Sequence, residues 1–354
     1  MKFDSLKLFI LVLVGYCLTP WNAFAWEHFG FEGDFEVVYD ENVFEFSDSD
    51  QDEFDAGTNP NRFKDIESMD DFIFIPDVSA DIHGEVIPES QSALGFRFVP
   101  KFHVENEERD YQKYKAYITH RLDRGDRFKL FYTRIPEYFV RNLLDFDLPE
   151  GTNRFRKAEF AYDSPGVDFL KIINDRISAK IGYSYEEKDY NREFDERDLS
   201  IHLVFGEIIL KLCERLKIRG KYEFETAEAD AQDDDPAVDF DTSHDQHAWT
   251  AKAAYEFLKT YWVDLRYSFY LRNYTTDNSA TDDPFHAGRD DYSHLVSVGL
   301  SKEVNEHVEC YVRYEYEVRN SDVDAASVGT LFDPAGAILE FDTNRVMVGS
   351  EIRF

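Results

Sequence analysis

The sequence predicts an all-β protein, a transmembrane antiparallel up-and-down β-barrel of about fourteen strands, with twelve to sixteen allowed. Apolar and polar residues alternate with a period of two through many segments, as they do in strands with two different faces. Aromatic residues make up 16 % of the 354 residues while charged residues reach 31 %. No stretch after residue 25 has the roughly 20 apolar residues of a membrane-spanning helix. A barrel explains the mixture, because each strand places half its side chains against lipid and half in a polar interior.

The chain begins with the pattern of a secretory signal peptide. Lys2 and Lys7 supply a positive start, residues 8–18 an apolar run, and Ala23 and Ala25 flank Phe24 as a small-x-small cleavage site. We therefore expect residues 1–25 to direct export and residues 26–354 to form the barrel.

Fourteen segments of alternating polarity follow in order. The turn Asp123-Arg124-Gly125-Asp126 predicts a hairpin between the fourth and fifth strands. Ser164-Pro165-Gly166 predicts a turn after the sixth, and residues 206–215 fit either strand or a helical turn. The predicted strands are residues 34–44, 72–82, 94–104, 111–122, 127–139, 155–162, 176–185, 199–205, 216–224, 249–257, 261–271, 292–300 and 308–318, and a last strand that ends at residue 354.

The connections between these strands differ in length. The odd-numbered ones include the long polar segments, whereas those after strands four, ten and twelve are short and those after six and eight are longer than expected. An even strand count with both chain ends on one side predicts short periplasmic turns and long acidic extracellular loops. An exported β-sandwich would not need fourteen two-faced strands. Residues 132–150 are the candidate for a loop that folds into the barrel.

The last strand carries a second pattern. Val346, Val348 and Ile352 alternate with charged residues, and the chain ends on Phe354. This resembles the C-terminal signal of bacterial outer-membrane β-barrels of the porin-like superfamily, whose motif would fall on Gly349, Ile352 and Phe354. Met347 stands where that family has a polar residue. The 39–43 segment is also similar to a motif near the start of some porin-like barrels.

The resemblance implies a location and partners. It implies the bacterial outer membrane, with outer-membrane lipid, lipopolysaccharide and the barrel-assembly machinery as partners. If Phe354 belongs to the signal, its deletion is expected to leave export intact and prevent insertion. The net charge of −33 excludes a nucleic-acid partner, because phosphates would be repelled. Acidic residues cluster between strands, in residues 47–53, 225–241 and 277–291.

Basic residues recur on the face opposite the apolar face of the strands. That face lines the lumen of a membrane barrel, so these side chains are candidate pore-lining groups. They are Arg97, Lys101, Lys113, Lys115, Lys129, Arg176, Lys180, Arg219, Lys221, Arg266 and Arg313.

The sequence supports a catalytic or metal site less well than it supports a charged lumen. The chain has no Gly-x-Ser-x-Gly elbow. Acidic loops with His residues could activate water or hold a cation, but scattered Asp and His residues usually form a solvated surface. We therefore expect no enzyme, no cofactor and no metal site. The groups considered are Asp233, Asp234, Asp235, Asp239, Asp241, His244, Asp245 and His247 in one loop and Asp282, Asp283, His286, Asp290 and Asp291 in another.

The sequence favours a porin-like channel for passive diffusion of small hydrophilic solutes, with a modest preference for anions. Two alternatives remain open. One is a structural or partner-binding barrel whose lumen is sealed by paired charges. The other is a hydrolase with its active site at the rim.

Overall fold

A computed structural model describes residues 25–85, 90–122, 125–145, 147–149, 151–231, 241–276, 278–279, 283, 285–323 and 340–353. The expected signal peptide, apart from Ala25, lies outside these residues, and so do Phe354, Asp282 and the 233–239 acidic group.

The described residues contain fourteen strands, as predicted. Within them, one α-helix, α1 (Asp48–Asp55), lies between the first two strands, and short 3₁₀ helices occur at Glu107–Arg109 and Arg192–Arg197. The strands are β1 (Ala25–Asp40), β2 (Asp71–Glu85), β3 (Gln91–His103), β4 (Tyr111–Arg121), β5 (Arg127–Leu144), β6 (Phe155–Asn174), β7 (Ile177–Tyr190), β8 (Leu199–Cys213), β9 (Leu216–Ala229), β10 (His244–Leu258), β11 (Tyr261–Tyr274), β12 (Arg289–Asn305), β13 (Val308–Val323) and β14 (Phe341–Arg353).

The strands form one closed antiparallel up-and-down barrel. Each pairs with its neighbour in sequence, and β1 pairs with β14, where Gly33 stands opposite Ile352 and Asp40 opposite Arg345. The predicted fold class is therefore confirmed. No helix among the described residues is long and apolar enough to cross a membrane.

Connection lengths follow the rule for such barrels more closely than the sequence suggested. The connections after β6, β8, β10 and β12 are two residues each, at residues 175–176, 214–215, 259–260 and 306–307. The odd-numbered connections are all longer. All long connections therefore lie at one end of the barrel, which we name the loop end, and the other is the turn end.

The expected turn at Ser164-Pro165-Gly166 is wrong, because β6 runs through it. Of the two alternatives for residues 206–215, the structure has strand, since β8 continues to Cys213 with a register shift between Lys211 and Cys213. Gly166 stands opposite Phe131, and a Cβ at Gly166 would overlap the Phe131 ring. A glycine inside a strand can mark such a close approach rather than a turn.

The first strand begins and ends earlier than predicted. β1 starts at Ala25 rather than residue 34, and it stops at Asp40. Asn42 then turns the chain, because its Nδ2 donates to the Phe46 carbonyl at 2.7 Å and its Oδ1 accepts from the Phe46 amide at 2.9 Å. The motif at residues 39–43 thus spans the end of β1 and the start of the following loop.

The connection at residues 41–70 folds into the barrel. Phe44, Phe46 and Phe63 are buried, and they form one apolar cluster with inward residues of the wall, including Val38 and Phe139. The prediction that residues 132–150 form the inward loop is wrong, since residues 132–144 belong to β5.

The outer surface of the barrel is apolar. Its large side chains remain exposed in the isolated chain; Phe29 is 69 % and Ile181 59 % exposed. Exposed apolar area of this extent would be costly in water but suits a lipid environment. The exposed outward residues also include Phe35, Phe96, Val204, Ile208, Trp249, Leu265, Val298, Val312 and Val348.

Candidate functional site: the lumen

Four of the predicted pore-lining lysines form a continuous strip. Lys101, Lys113, Lys115 and Lys129 lie on β3, β4 and β5 at positions whose sequence neighbours point outward. No carboxylate lies within 4 Å of these four amines among the described residues. Instead Lys115 Nζ lies 4.4 Å from the Phe131 ring centroid and Lys129 Nζ 4.2 Å from that of Tyr117. We name these four residues the lysine strip.

Most of the other predicted residues form ion pairs along the wall. Lys180 Nζ lies 3.2 Å from Asp168, and Arg219 Nε lies 2.8 Å from Glu207. The remaining pairs are Arg97 with Asp77, Lys221 with Glu223, Arg266 with Glu315 and Arg313 with Asp264. Their positive charge is therefore largely compensated locally.

Arg176 is the exception among the predicted lumen residues. β6 extends to Asn174 and β7 begins at Ile177, so Arg176 lies in the exposed two-residue turn between them. The expected wall position is wrong because β7 begins at Ile177, one residue later than its alternation indicated, and β6 continues to Asn174.

A second concentration of positive charge lies near the loop end. A cavity of about 590 Å³ is lined by residues from β5 on one wall, from β11 on the opposite wall and from the inward loop. We name it the arginine chamber. Its lining includes Lys188, one carboxylate, Asp50, and six arginines: Arg62, Arg141, Arg197, Arg272, Arg289 and Arg319.

The chamber cations differ in how they are compensated. Arg62 pairs with Asp50 at 2.6 Å, and Arg289 makes a two-pronged contact with Asp291 at 2.6 and 2.7 Å. Three others have no carboxylate within 4 Å among the described residues, namely Arg141, Lys188 and Arg272. Arg272 instead donates to Gln246 Oε1 at 2.9 and 3.1 Å, and Arg141 lies over the Phe46 ring at 5.2 Å.

A row of aromatic rings leads across the wall to the chamber. Tyr111, Tyr138, Phe160 and Tyr190 lie on β4 to β7, with consecutive ring centroids 5.1, 5.1 and 5.2 Å apart. Lys188 lies over the Phe160 ring at 5.6 Å. Tyr190 also lines the chamber. The arginine chamber is thus bordered by both aromatic rings and cationic side chains.

The opposite wall, on β1, β13 and β14, is acidic. Arg345 Nε lies 2.7 Å from Asp40 and its Nη1 lies 2.8 Å from Glu317. Tyr311 donates to Glu36 at 3.0 Å, and its ring covers Gly349 of the expected assembly signal. The lumen therefore has a basic side and a side on which carboxylates predominate around Arg345.

The His and Asp residues considered for chemistry do not converge. His244 contacts Glu225 at 3.1 Å, whereas His247 packs against Tyr222 and Trp249 on the outer face. Three residues of separation on a strand place the two on opposite faces, so they cannot share a zinc ion. Among the described residues no group of three or more potential metal ligands occurs.

In the second group of loop residues considered for chemistry, His286 is held by Asp283. His286 Nδ1 lies 3.0 Å from both carboxylate oxygens of Asp283, which has no exposed surface. Burial lowers the pKa of His286 below its usual 6.5 despite this carboxylate, so its imidazole is neutral near pH 7. Asp290 accepts a hydrogen bond from Asn273 at 2.6 Å, and Asp291 accepts one from Arg289 at 2.7 Å.

The sequence patterns place Arg272 and Arg319 on the inner face of the barrel, but they do not identify Arg141 and Lys188 as lumen residues. Arg141 follows two register shifts in β5, between Ile135 and Tyr138 and between Phe139 and Arg141, and each shift breaks the period-two alternation. Lys188 lies beyond the predicted end of the seventh strand. The signal that could have identified them is the density of basic residues just after predicted strand ends.

The closed barrel, its apolar outside and its charged interior define a membrane-spanning β-barrel of porin-like architecture. The sequence matches no protein-family model and no curated protein. Among solved structures, it is similar to the outer membrane channel DcaP of Acinetobacter baumannii, with 11 % identity over 94 % of this chain and 98 % of that one and a TM-score of 0.48. It is also similar to an anion-selective porin from Comamonas acidovorans, with 12 % identity over 92 % and 99 % and a TM-score of 0.44.

Proposed function

We propose that the chain forms a channel in the bacterial outer membrane through which small hydrophilic solutes diffuse passively, with anions favoured. The single observation that carries this proposal is the lysine strip. It extends from Lys101 near the loop end of β3 to Lys129 near the turn end of β5, so uncompensated positive charge runs along the lumen. In a narrow passage with low-dielectric walls, such charges are weakly screened and attract anions.

A sealed barrel is the second candidate. The inward loop and the cross-strand pairs such as Arg219 with Glu207 favour it, because paired charges can fill a small lumen. An active site at the rim receives less support, since His244 and His247 face opposite sides of the wall. The two leading candidates differ in one measurable property, which is conductance.

The test is a planar-bilayer recording on purified protein in a KCl gradient. A reversal potential that indicates Cl⁻ preference supports the channel. In a variant with Lys113, Lys115 and Lys129 changed to Gln, that preference should fall towards zero. Lys302→Gln is the control, because it removes one lysine charge on the outward face, beside Tyr261. Absence of conductance would support the sealed barrel instead.

A further inference from the structure

We propose that the arginine chamber is a binding site for an organic anion that carries two or more negative groups on an apolar body. The inference deepens the proposed function by naming a class of solute, and it rests on that function for transport but not for binding. Its basis is a cavity in which cationic groups of opposite walls converge, three of them with no carboxylate within 4 Å among the described residues.

The first step concerns charge. Of the cations that line the chamber, Arg141, Lys188 and Arg272 have no carboxylate within 4 Å among the described residues. Placing like charges together in a partly desolvated cavity is unfavourable unless a counter-charge enters. The protein as a whole is strongly acidic, with a net charge of −33, so this concentration does not reflect its overall composition.

The second step concerns unmade hydrogen bonds. Arg197 lines the chamber, and its buried Nε makes no hydrogen bond among the described residues, although a Glu196 carboxylate oxygen lies 3.6 Å away, beyond hydrogen-bond distance. A buried donor left unsatisfied is costly, and a carboxylate or phosphate oxygen would satisfy it. The planar guanidinium groups of several arginines suit two-pronged binding of such oxygens.

The third step concerns the size and the apolar part of the site. The chamber volume of about 590 Å³ is far larger than a monatomic or phosphate ion requires. Leu143, Phe155 and Phe285 line it together with Tyr190 and Tyr274. The solute therefore needs an apolar or aromatic body between its negative groups.

The fourth step concerns geometry. Arg141 lies on β5 and Arg272 on β11, which are on opposite sides of the barrel, and both line the same cavity. A solute that spans the chamber can contact both only if it has negative groups at two ends. A monovalent anion would satisfy one wall and leave the other uncompensated.

The experiment measures binding to purified, folded barrel in detergent by isothermal titration calorimetry, which does not require an open channel. The probes are benzene-1,3,5-tricarboxylate, citrate and inorganic phosphate. We expect the aromatic tricarboxylate to bind more tightly than citrate, and citrate more tightly than phosphate. Arg141→Gln and Arg272→Gln should each weaken tricarboxylate binding at least about tenfold, because each removes a charge-assisted hydrogen bond. Lys302→Gln should leave it unchanged.

Each result decides one part of the proposal. No binding of the tricarboxylate, or equal binding by the Arg141 and Arg272 variants, would overturn the site. Equal affinity for citrate would overturn the apolar body while supporting the anion site. Binding by a barrel that gives no conductance would support the site and refute the proposed channel, so the two failures are distinguishable. Heat-dependent mobility in SDS gels verifies that each variant is folded.

Discussion

At the scale of single residues, Gly349 has two explanations that make different predictions. It matches the resemblance to an outer-membrane assembly signal, and it also lies under the ring of Tyr311, where a Cβ would overlap the ring. Tyr311 is held there by its hydrogen bonds to Glu36 at 3.0 Å and Asp34 at 3.2 Å. Packing under the Tyr311 ring therefore requires a glycine at this position even if the assembly machinery does not recognise it.

We predict that Gly349→Ala destabilises the folded barrel, because the Tyr311 ring must move away from its hydrogen bonds. Inserting a methyl group into such a contact costs roughly 1–3 kcal/mol. The measurement is the temperature at which the folded form converts to the slower-migrating form in SDS gels. Ser350→Ala, on the outward face of the same strand, is the control.

The double variant Gly349→Ala with Tyr311→Ala separates the two explanations. If packing is responsible, removing the ring should reduce the penalty of the alanine, which a double-mutant cycle detects. If the glycine is read during assembly, the double variant should remain deficient in the outer membrane. Equal melting of Gly349→Ala and the parent would contradict the packing account.

Predictability from sequence also varies between residues. Alternation placed Lys113, Lys115 and Lys129 on the lumen face, because β4 and the first part of β5 pair without a bulge. Alternation did not identify ion-pair partners such as Asp77 for Arg97, because the residue that lies opposite depends on the register between the two strands. It failed for Arg141, where two register shifts intervene.

At the scale of elements, the loop at residues 41–70 shows what a local pattern cannot show. The segment is polar on average, and it was expected to be an external loop. Its apolar residues are spaced irregularly, so no period indicated that Phe44, Phe46 and Phe63 would meet on the inner wall. Strand alternation predicts which face a side chain occupies, but the path of a loop depends on contacts distant in sequence.

We predict that Phe46→Ala and Phe63→Ala together loosen this loop. Each buried ring packs edge to face on its neighbour, with centroids 5.7 Å apart, and loss of a buried Phe typically costs about 3–5 kcal/mol. Trypsin should then cleave after Arg62 or Lys64 faster than in the parent protein in detergent. Phe72→Ala, which removes an exposed ring from the outer face, should leave the cleavage rate unchanged.

A second prediction at this scale concerns sidedness. Cys213 ends β8 at the turn end and is exposed, whereas Pro60 lies on the exposed part of the inward loop at the loop end. With short turns in the periplasm, a large membrane-impermeant maleimide should label Pro60→Cys on intact cells and Cys213 only after the outer membrane is broken. Cys310 is replaced by Ser in both proteins. Labelling of Cys213 on intact cells would reverse the strand directions.

At the scale of the whole molecule, the closed barrel was the most predictable feature. Fourteen strands in antiparallel order follow from period-two alternation and an even strand count, and both are properties of the entire chain. Strand ends were less predictable. β6 continues twelve residues beyond its expected end because Pro165 and Gly166 are accommodated within the sheet.

The distribution of charge over the molecule sets two electrostatic effects against each other. The protein carries 72 acidic residues, many in the long connections at the loop end, while the lysine strip lies inside. Exposed loop charges are screened within roughly 8 Å at physiological salt but act over about 30 Å at 0.01 M. Charges inside the lumen are screened less at any salt concentration.

We therefore predict that anion preference is greatest at high salt and weakens as the salt concentration falls. The reversal potential across a fixed KCl ratio, measured from about 1 M down to about 0.01 M, reports this change. Changing Asp233, Asp234, Asp235 and Asp239 to Asn should reduce the change at low salt and leave the high-salt preference intact, because those residues belong to a long connection. Strong cation selectivity at high salt would mean that the acidic wall on β1, β13 and β14 outweighs the lysine strip, and the preference for anions would then be wrong.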